Sequence, residues 1–395
     1  MSAAPNRVFH VCHLAHPHDR IYAENVCEYF EHSGIRYNVI EFDAPGERPE
    51  LRQCLDGEAI GVLGINSQLD HCWFGDENFI AAAERKKVPI IHWILDHPSS
   101  RWPEFDNATA ANSRFLFTSS CAEGYFKRYC LADARTGWTA SVGPNWRSRI
   151  DEFSPREFHQ RNVNCLIALN LKRIGGTGAD ALSRLRALEP AIGGAVEEAI
   201  EQARGDLGGP LDIHLSAALA RRGRELSNRE FHFCFQIVDD ATQVWRRRKI
   251  FDIASRFPVL IQTDSVPETP VADVAATFSN DPWACSMPVT LARMKSCRAV
   301  LNTNYASGMV HDRTENGLNA GCAVIIEDTP THRRLFSDDN ALFFRYDDDS
   351  LAQCLDAVCS QPVRTCEIAQ AGFSLRDDPA IRFAGFEHIL ELARE

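Results

Sequence analysis

Short apolar runs alternate along the chain with longer stretches in which apolar residues recur every three or four positions. The runs are "RVFHVCHL", "YNVIEFD", "AIGVLGINS", "VPIIHWIL" and "RFLFTSS"; between them lie "IYAENVCEYFEHSG", "DENFIAAAERKK" and "CAEGYFKRYCL". Runs that are apolar on both faces predict strands of a parallel sheet, and the intervening 3.6-residue period predicts the helices that cover it. "GWTASVG" continues the strand series, and Gly34 is placed to stop the first long helix.

Periodicity lapses over residues 144–162, "PNWRSRIDEFSPREFHQRN", which predicts a linker. "VNCLIALNL" opens a second set, helical period dominates an insert at about residues 175–230, and alternation then resumes. "FHFCFQI", "PVLIQTD", "CRAVLNTN", "CAVIIED" and "ALFFRY" predict strands; "DDATQVWRRRKIFDIASRF", "PVTLARMKS" and "DSLAQCLDAVCS" predict helices. The expected fold class is α/β, with two doubly wound, Rossmann-like parallel-sheet domains facing a central cleft and a helical insert in the second. Domain one is expected at 1–150, domain two at 151–378, and a last helix at 379–395. Ligands of such sheets collect at the carboxyl ends of the strands.

Charge and cysteine usage narrow the partners. Lys and Arg total 42 against 54 Asp and Glu, a net charge of -12, so no broad basic field favours nucleic acid or anionic lipid. Fourteen cysteines are scattered through apolar segments with no CxxC pair, the usage of a reducing compartment. Neither a signal peptide nor a run of about 18 apolar residues is found, so a cytoplasmic protein without a membrane span is expected. Oligomeric state is not legible.

The richest stretch is "HDRTENGLNAGCAVIIED", residues 311–328, which predicts loop, short helix and strand. Asp312 is placed to cap the helix, with Glu315 closing a capping box. Arg313 falls in the first turn, where a cation opposes the helix dipole unless an anion offsets it. That anion is either a neighbour, Asp312 or Glu327, or the phosphates of a ligand. Asn316 and Asn319 share a face, and Gly317, which costs about 1 kcal/mol in a helix interior, points to a close approach to the backbone.

"CRAVLNTNYASGMVHDRTENGLNAGCAVIIED" resembles the donor-domain signature of the CgeB-like glycosyltransferases: a strand ending in Leu-Asn, a loop, an acid–Arg pair, a helix ending in Ala-Gly, and an apolar strand. "SMPVTLARMKSC" resembles the helix that precedes it, and "VPIIHWILDHP" with "FLFTSS" resembles the acceptor-side segment. The resemblance implies a GT-B fold, a nucleotide-sugar donor held by the C-terminal domain, and transfer to a glycan, protein or small-molecule acceptor with no cofactor and no required metal. On it, Asn302, His311, Asp312, Arg313, Glu315, Asn316, Asn319 and Gly321 are donor-binding candidates, joined by Lys172 and Arg173 at the end of the first strand of the second domain. Asn316 stands where related glycosyltransferases often carry an acid. The alternatives are a non-catalytic nucleotide- or glycan-binding scaffold and a nucleotide-sugar epimerase.

On the acceptor side, Asp96 and His97 leave the carboxyl end of "VPIIHWIL", and Pro98 predicts an extended turn after them. An inverting transfer needs a base. His97 as base with Asp96 orienting it is favoured, Asp96 as base is the alternative, and a local Asx-type bond is the structural account. His16, His18 and Asp19, in the loop after the first strand, are further catalytic candidates. His10 and His13 fall on opposite faces of that strand, against a closed zinc site. Asp347 to Asp349 predict a helix cap rather than a metal motif, "WRRRK" at 245–249 a solvated face of a helix capped by Asp239 or Asp240 rather than a phosphate clamp, and "GGTG" at 175–178 either a phosphate loop without the full nucleotide fingerprint or a flexible turn.

Overall fold

The computed structural model describes residues 7–55, 59–105, 111–169, 177–206, 209–263, 275–280, 287–303 and 310–394. The chain divides into two compact units, Met1–Gly143 with Phe383–Glu395, and Pro144–Arg382. In the first, the elements run β1 (Val8–Leu14), α1 (Pro17–His32), β2 (Tyr37–Phe42), β3 (Gly46–Glu47), β4 (Ala59–Ile65), β5 (Cys72–Phe74), β6 (Glu77–Asn78), α2 (Phe79–Lys86), β7 (Ile90–Ile94), α3 (Pro98–Phe105), β8 (Ser113–Phe117), α4 (Ser120–Tyr129) and β9 (Arg135–Trp138). Six strands form a parallel sheet in the order β2-β1-β4-β7-β8-β9, while β3, β5 and β6 form a small separate sheet. All five residues of β7 are buried, as a central strand covered on both faces requires.

The second unit begins with α5 (Pro155–Gln160) and β10 (Val163–Leu169), followed by four helices, α6 (Thr177–Leu188), α7 (Pro190–Gly205), α8 (Leu211–Arg221) and α9 (Asn228–Ala254). Next come β11 (Leu260–Thr263), β12 (Thr277–Asn280), α10 (Met287–Met294), β13 (Cys297–Leu301), α11 (Asp312–Asn319), β14 (Ala323–Glu327), α12 (Pro330–Leu335), β15 (Leu342–Phe344), α13 (Asp348–Ser360), α14 (Pro362–Leu375) and α15 (Pro379–Arg382). Its six strands are parallel, in the order β12-β11-β10-β13-β14-β15. Both sheets are therefore doubly wound.

The last helix, α16 (Glu387–Arg394), belongs to the first unit and packs on β9. A Cβ at Gly137 would stand 2.9 Å from the Cβ of His388, so only glycine lets α16 lie this close. His388 Nδ1 meets the Trp138 carbonyl at 2.7 Å, and Phe386 is fully buried against Trp93 and Tyr29.

Three expectations change. "FHFCFQI" is not a strand but the start of the 27-residue α9, opened by a capping box of Ser227 and Glu230. Its alternation mimics period two, yet Phe231, Cys234, Phe235 and Val238 form one buried helical stripe. Asp239 and Asp240 consequently lie inside the helix and cap nothing, and in "WRRRK" Arg246 and Arg247 are buried rather than solvated, with Arg246 over the ring of Tyr346. Burial, partly offset by the bond from Gln243, raises the Asp239 carboxyl to about 6. The segment 144–162 is not a free linker but part of the second unit, for Arg161 donates to the carbonyls of Cys297, Ala320 and Gly321 at 2.7–2.8 Å.

Candidate functional site

In the second sheet the strand order reverses between β10 and β13, so their carboxyl ends flank a topological switch point. Asn302, buried, follows β13, and α11 begins at the same edge. The cap position of α11 belongs to His311, not Asp312: its Nδ1 lies 3.2 Å from the Arg313 backbone nitrogen and also contacts the Asp312 carboxylate. Arg313 is half-buried and donates from Nη1 to the Ala168 carbonyl in β10, 3.4 Å away. Its side chain thus crosses from the helix start towards the end of the neighbouring strand. Lys172 and Arg173, beyond that strand end, lie outside the described residues, as do the first two residues of "GGTG".

Burial by itself raises a carboxyl, but the His311 ring and the Arg313 guanidinium outweigh it and hold Asp312 at about 2. A folded-state value below the unfolded 3.8 stabilises the fold above about pH 4, and the stabilisation is lost as pH falls towards 2. Asp312→Asn is therefore expected to cost about 2 kcal/mol at neutral pH and to flatten the stability profile below about pH 4, as measured by urea unfolding at each pH.

Further along α11 the side chains do structural work. Asn316 accepts the Asn145 N–H at 2.7 Å through Oδ1, which also lies 3.0 Å from the Ser148 hydroxyl, so its carbonyl holds the segment that opens the second unit. Asn319, also buried, accepts the Ile150 N–H through its backbone carbonyl. What approaches Gly317 is the sheet: a Cβ there would meet Val300 Cγ1 at 2.4 Å and Val324 Cγ1 at 3.0 Å. Gly321, at φ +65°, ends the helix in the left-handed conformation beneath Ile150 and Phe153. Glu315 is buried in the helix and is not the reciprocal member of a capping box, since the cap is His311.

The first sheet reverses between β1 and β4. After β1, His16 caps α1 and accepts the His18 N–H at 3.4 Å; both rings are exposed, and Asp19 beside them is buried. After β4 comes a turn the sequence did not announce. Asn66 and Ser67 sit at φ 51° and 55°, two successive non-glycine residues in the left-handed region, where such strain concentrates at functional sites. Leu69 folds back over Gly64, whose missing side chain makes the room. The turn is a hub: Gln68 donates to Asp19 at 2.7 Å, Asn66 Oδ1 accepts the Leu95 N–H at 2.8 Å, and the Asn66 carbonyl accepts from Arg101 at 2.6 Å. The ends of β1, β4 and β7 are thereby joined.

Asp96, exposed, pairs with that same Arg101 at 3.3 Å. Pro98 opens α3 instead of an extended turn, with His97 in the cap position; its Nδ1 accepts the Ser99 N–H at 3.2 Å and lies 2.8 Å from the Ser99 hydroxyl, and its ring meets Tyr125 edge-on. The partner expected to orient His97, Asp96, faces Arg101, and the ring is held by Ser99. Three candidate histidines, His16, His97 and His311, thus play one role, each capping a helix at the carboxyl edge of a sheet through Nδ1.

Two concavities lie elsewhere among the described residues. One, of about 320 Å³, lies beyond β14 and β15 and is lined by Arg204, Asp206, Glu327, Arg345 and Tyr346, with Glu327 buried and bonded to the Tyr346 hydroxyl rather than to Arg313. The other, about 600 Å³, is an acidic groove between α1 and β2. Asp347 caps α13 through the Ser350 N–H at 2.6 Å, and among the described residues no group of three or more His, Cys, Asp or Glu is arranged to hold a metal ion. Among them, too, no helix is long and apolar enough to cross a membrane.

Residues 289–378, from α10 through α14, match a family described as glycosyl transferase-like. No curated protein matches the chain. Among solved structures it is similar to Anabaena Alr3699/HepE, crystallised with UDP and glucose (10% identity, 98% of each chain covered, TM-score 0.47). It is also similar to sucrose-phosphate synthase from Thermosynechococcus elongatus (9%, 98% and 97%, 0.46) and to T4 phage BGT in complex with its UDP-glucose substrate (8%, 98% and 99%, 0.44).

Proposed function

We propose that this chain is a GT-B-type glycosyltransferase, acting in the cytoplasm, that moves a sugar from a nucleotide-sugar donor to an acceptor hydroxyl. The observation that carries it is a coincidence of position: the segment matching the glycosyl transferase-like family contains α11, whose start lies at the switch point of the second sheet with Arg313 across it. The amino end of α11 and the Arg313 guanidinium receive the donor diphosphate, and together they offset the charge that grows on it as the glycosidic bond breaks. A metal is then not needed for that step. Asn302 faces the same edge and contributes polar contacts to the donor. A carboxylate or imidazole of the first sheet's carboxyl edge, Asp96 foremost, takes the proton of the acceptor hydroxyl.

The test is incubation of the purified protein with UDP-, GDP-, CMP- and dTDP-sugars, with and without a mixed acceptor pool, read by mass spectrometry. Hydrolysis or transfer with one donor class supports the proposal. Tight binding without turnover identifies a scaffold, and a sugar returned on its nucleotide with one inverted centre identifies an epimerase.

A further inference from the structure

We infer that Trp73 is a stacking platform for a sugar ring, which makes the acceptor a carbohydrate; this rests on the glycosyltransferase reading. In β5 the outer residues Cys72 and Phe74 are buried and Trp73 between them is 44% exposed, so strand alternation turns the indole outward. The small sheet that carries it closes no part of the parallel sheet. It is assembled from segments that follow β2 and β4, at the carboxyl edge where Asp19, Asn66, Asp96 and Arg101 converge.

Exposed apolar side chains are common and mean little singly. Trp73 differs in how its surroundings are built. Along one side runs β3, with Gly46 in register with Cys72 and Glu47 with Trp73. Gly46 is at φ +137°, a conformation left to glycine, and a Cβ on it would stand 4.0 Å from the indole Cη2, so no side chain stands between this turn and the ring. On the other side Asn78 is spent on the framework: Oδ1 accepts the Ile80 N–H, and Nδ2 donates to the carbonyls of Asp70 and Cys72. Glu47 is exposed and occupies the register position beside the indole.

A flat, outward-facing indole with a carboxylate at the neighbouring register position matches the two halves of a pyranose. The C–H face of the sugar covers the ring, and vicinal hydroxyls donate to the acid. Gln68 opens the turn that leads directly into β5 and binds Asp19, so a glycan on Trp73 is tethered to the element that links the catalytic candidates.

The protein labelled with 5-fluorotryptophan reports on this without any donor, since its seven tryptophans give separate fluorine signals and Trp73→Phe assigns one of them. Titration with cellotriose, maltotriose and chitotriose should shift the Trp73 signal saturably with at least one of them. Trp73→Ala should raise the acceptor KM at least about tenfold, with KM rather than kcat carrying the loss, the thermal midpoint unchanged, and partial recovery in Trp73→Phe. An unmoved Trp73 signal with all three sugars, while transfer to a protein or small-molecule acceptor proceeds, overturns the platform and leaves the glycosyltransferase reading intact. A saturable shift in a protein that turns over no donor does the reverse.

Discussion

Asp96→Asn is expected to bind nucleotide sugar as the parent does and to transfer the sugar at least about 100-fold more slowly, the low end for loss of a general base. Asp96 stands at the carboxyl end of β7 with its carboxylate set by Arg101, which is itself anchored on the Asn66 carbonyl. His97 next to it is arranged for another task. Its Nδ1 is engaged at the start of α3, 3.2 Å from the Ser99 backbone nitrogen and 2.8 Å from the Ser99 hydroxyl. Of the two readings that the sequence offers, we therefore propose the one with Asp96 as the base and His97 as a positioning residue. His97→Asn, which can keep the cap bond, should retain a rate within a few-fold of the parent, whereas His97→Ala should lose about 1 kcal/mol of stability with the missing cap. Donor affinity by calorimetry and transfer by mass spectrometry decide it. Near-normal turnover by Asp96→Asn with a dead His97→Asn returns the base to His97, and near-normal turnover in both moves the search to His16, His18 and Asp19.

The strands were legible because both faces of a central parallel strand must be apolar, and β7 and β14 are buried at every position. "FHFCFQI" failed because seven residues in which large apolar side chains alternate with His, Cys and Gln satisfy two periods at once, and the deciding signal, Ser227 with Glu230, lay upstream of the run. The approach to Gly317 was anticipated but its source was not: whether a ligand or two valines occupy the space depends on how the helix settles on β13 and β14, which no local pattern encodes. The same holds for the Asn66–Ser67 turn. Its left-handed backbone is imposed by partners far along the chain, Asp19, Leu95 and Arg101, and the stretch "NSQLD" is by itself an ordinary polar loop.

Arg313→Ala is expected to weaken nucleotide-sugar binding by about 1–3 kcal/mol, roughly 5- to 150-fold, and to lower the melting midpoint less than Asp312→Asn does. The first turn of α11 presents the positive end of its dipole, an unfavourable place for a cation that no anion compensates. Asp312 supplies part of the compensation, as its depressed carboxyl records. The described bond of the guanidinium is a long one, 3.4 Å, to a neutral carbonyl, so beyond its share in holding Asp312 ionised its removal takes little from the fold. A diphosphate at the same edge would engage the planar fork in two bonds at once, the geometry at which arginine exceeds lysine. Arg313→Lys should therefore fall between parent and Arg313→Ala, and the affinity of all three should converge as salt is raised. Isothermal titration with the donor identified in the panel, alongside thermal melts, separates this from a structural role: a lowered melting midpoint with unchanged affinity would assign Arg313 to the helix start alone.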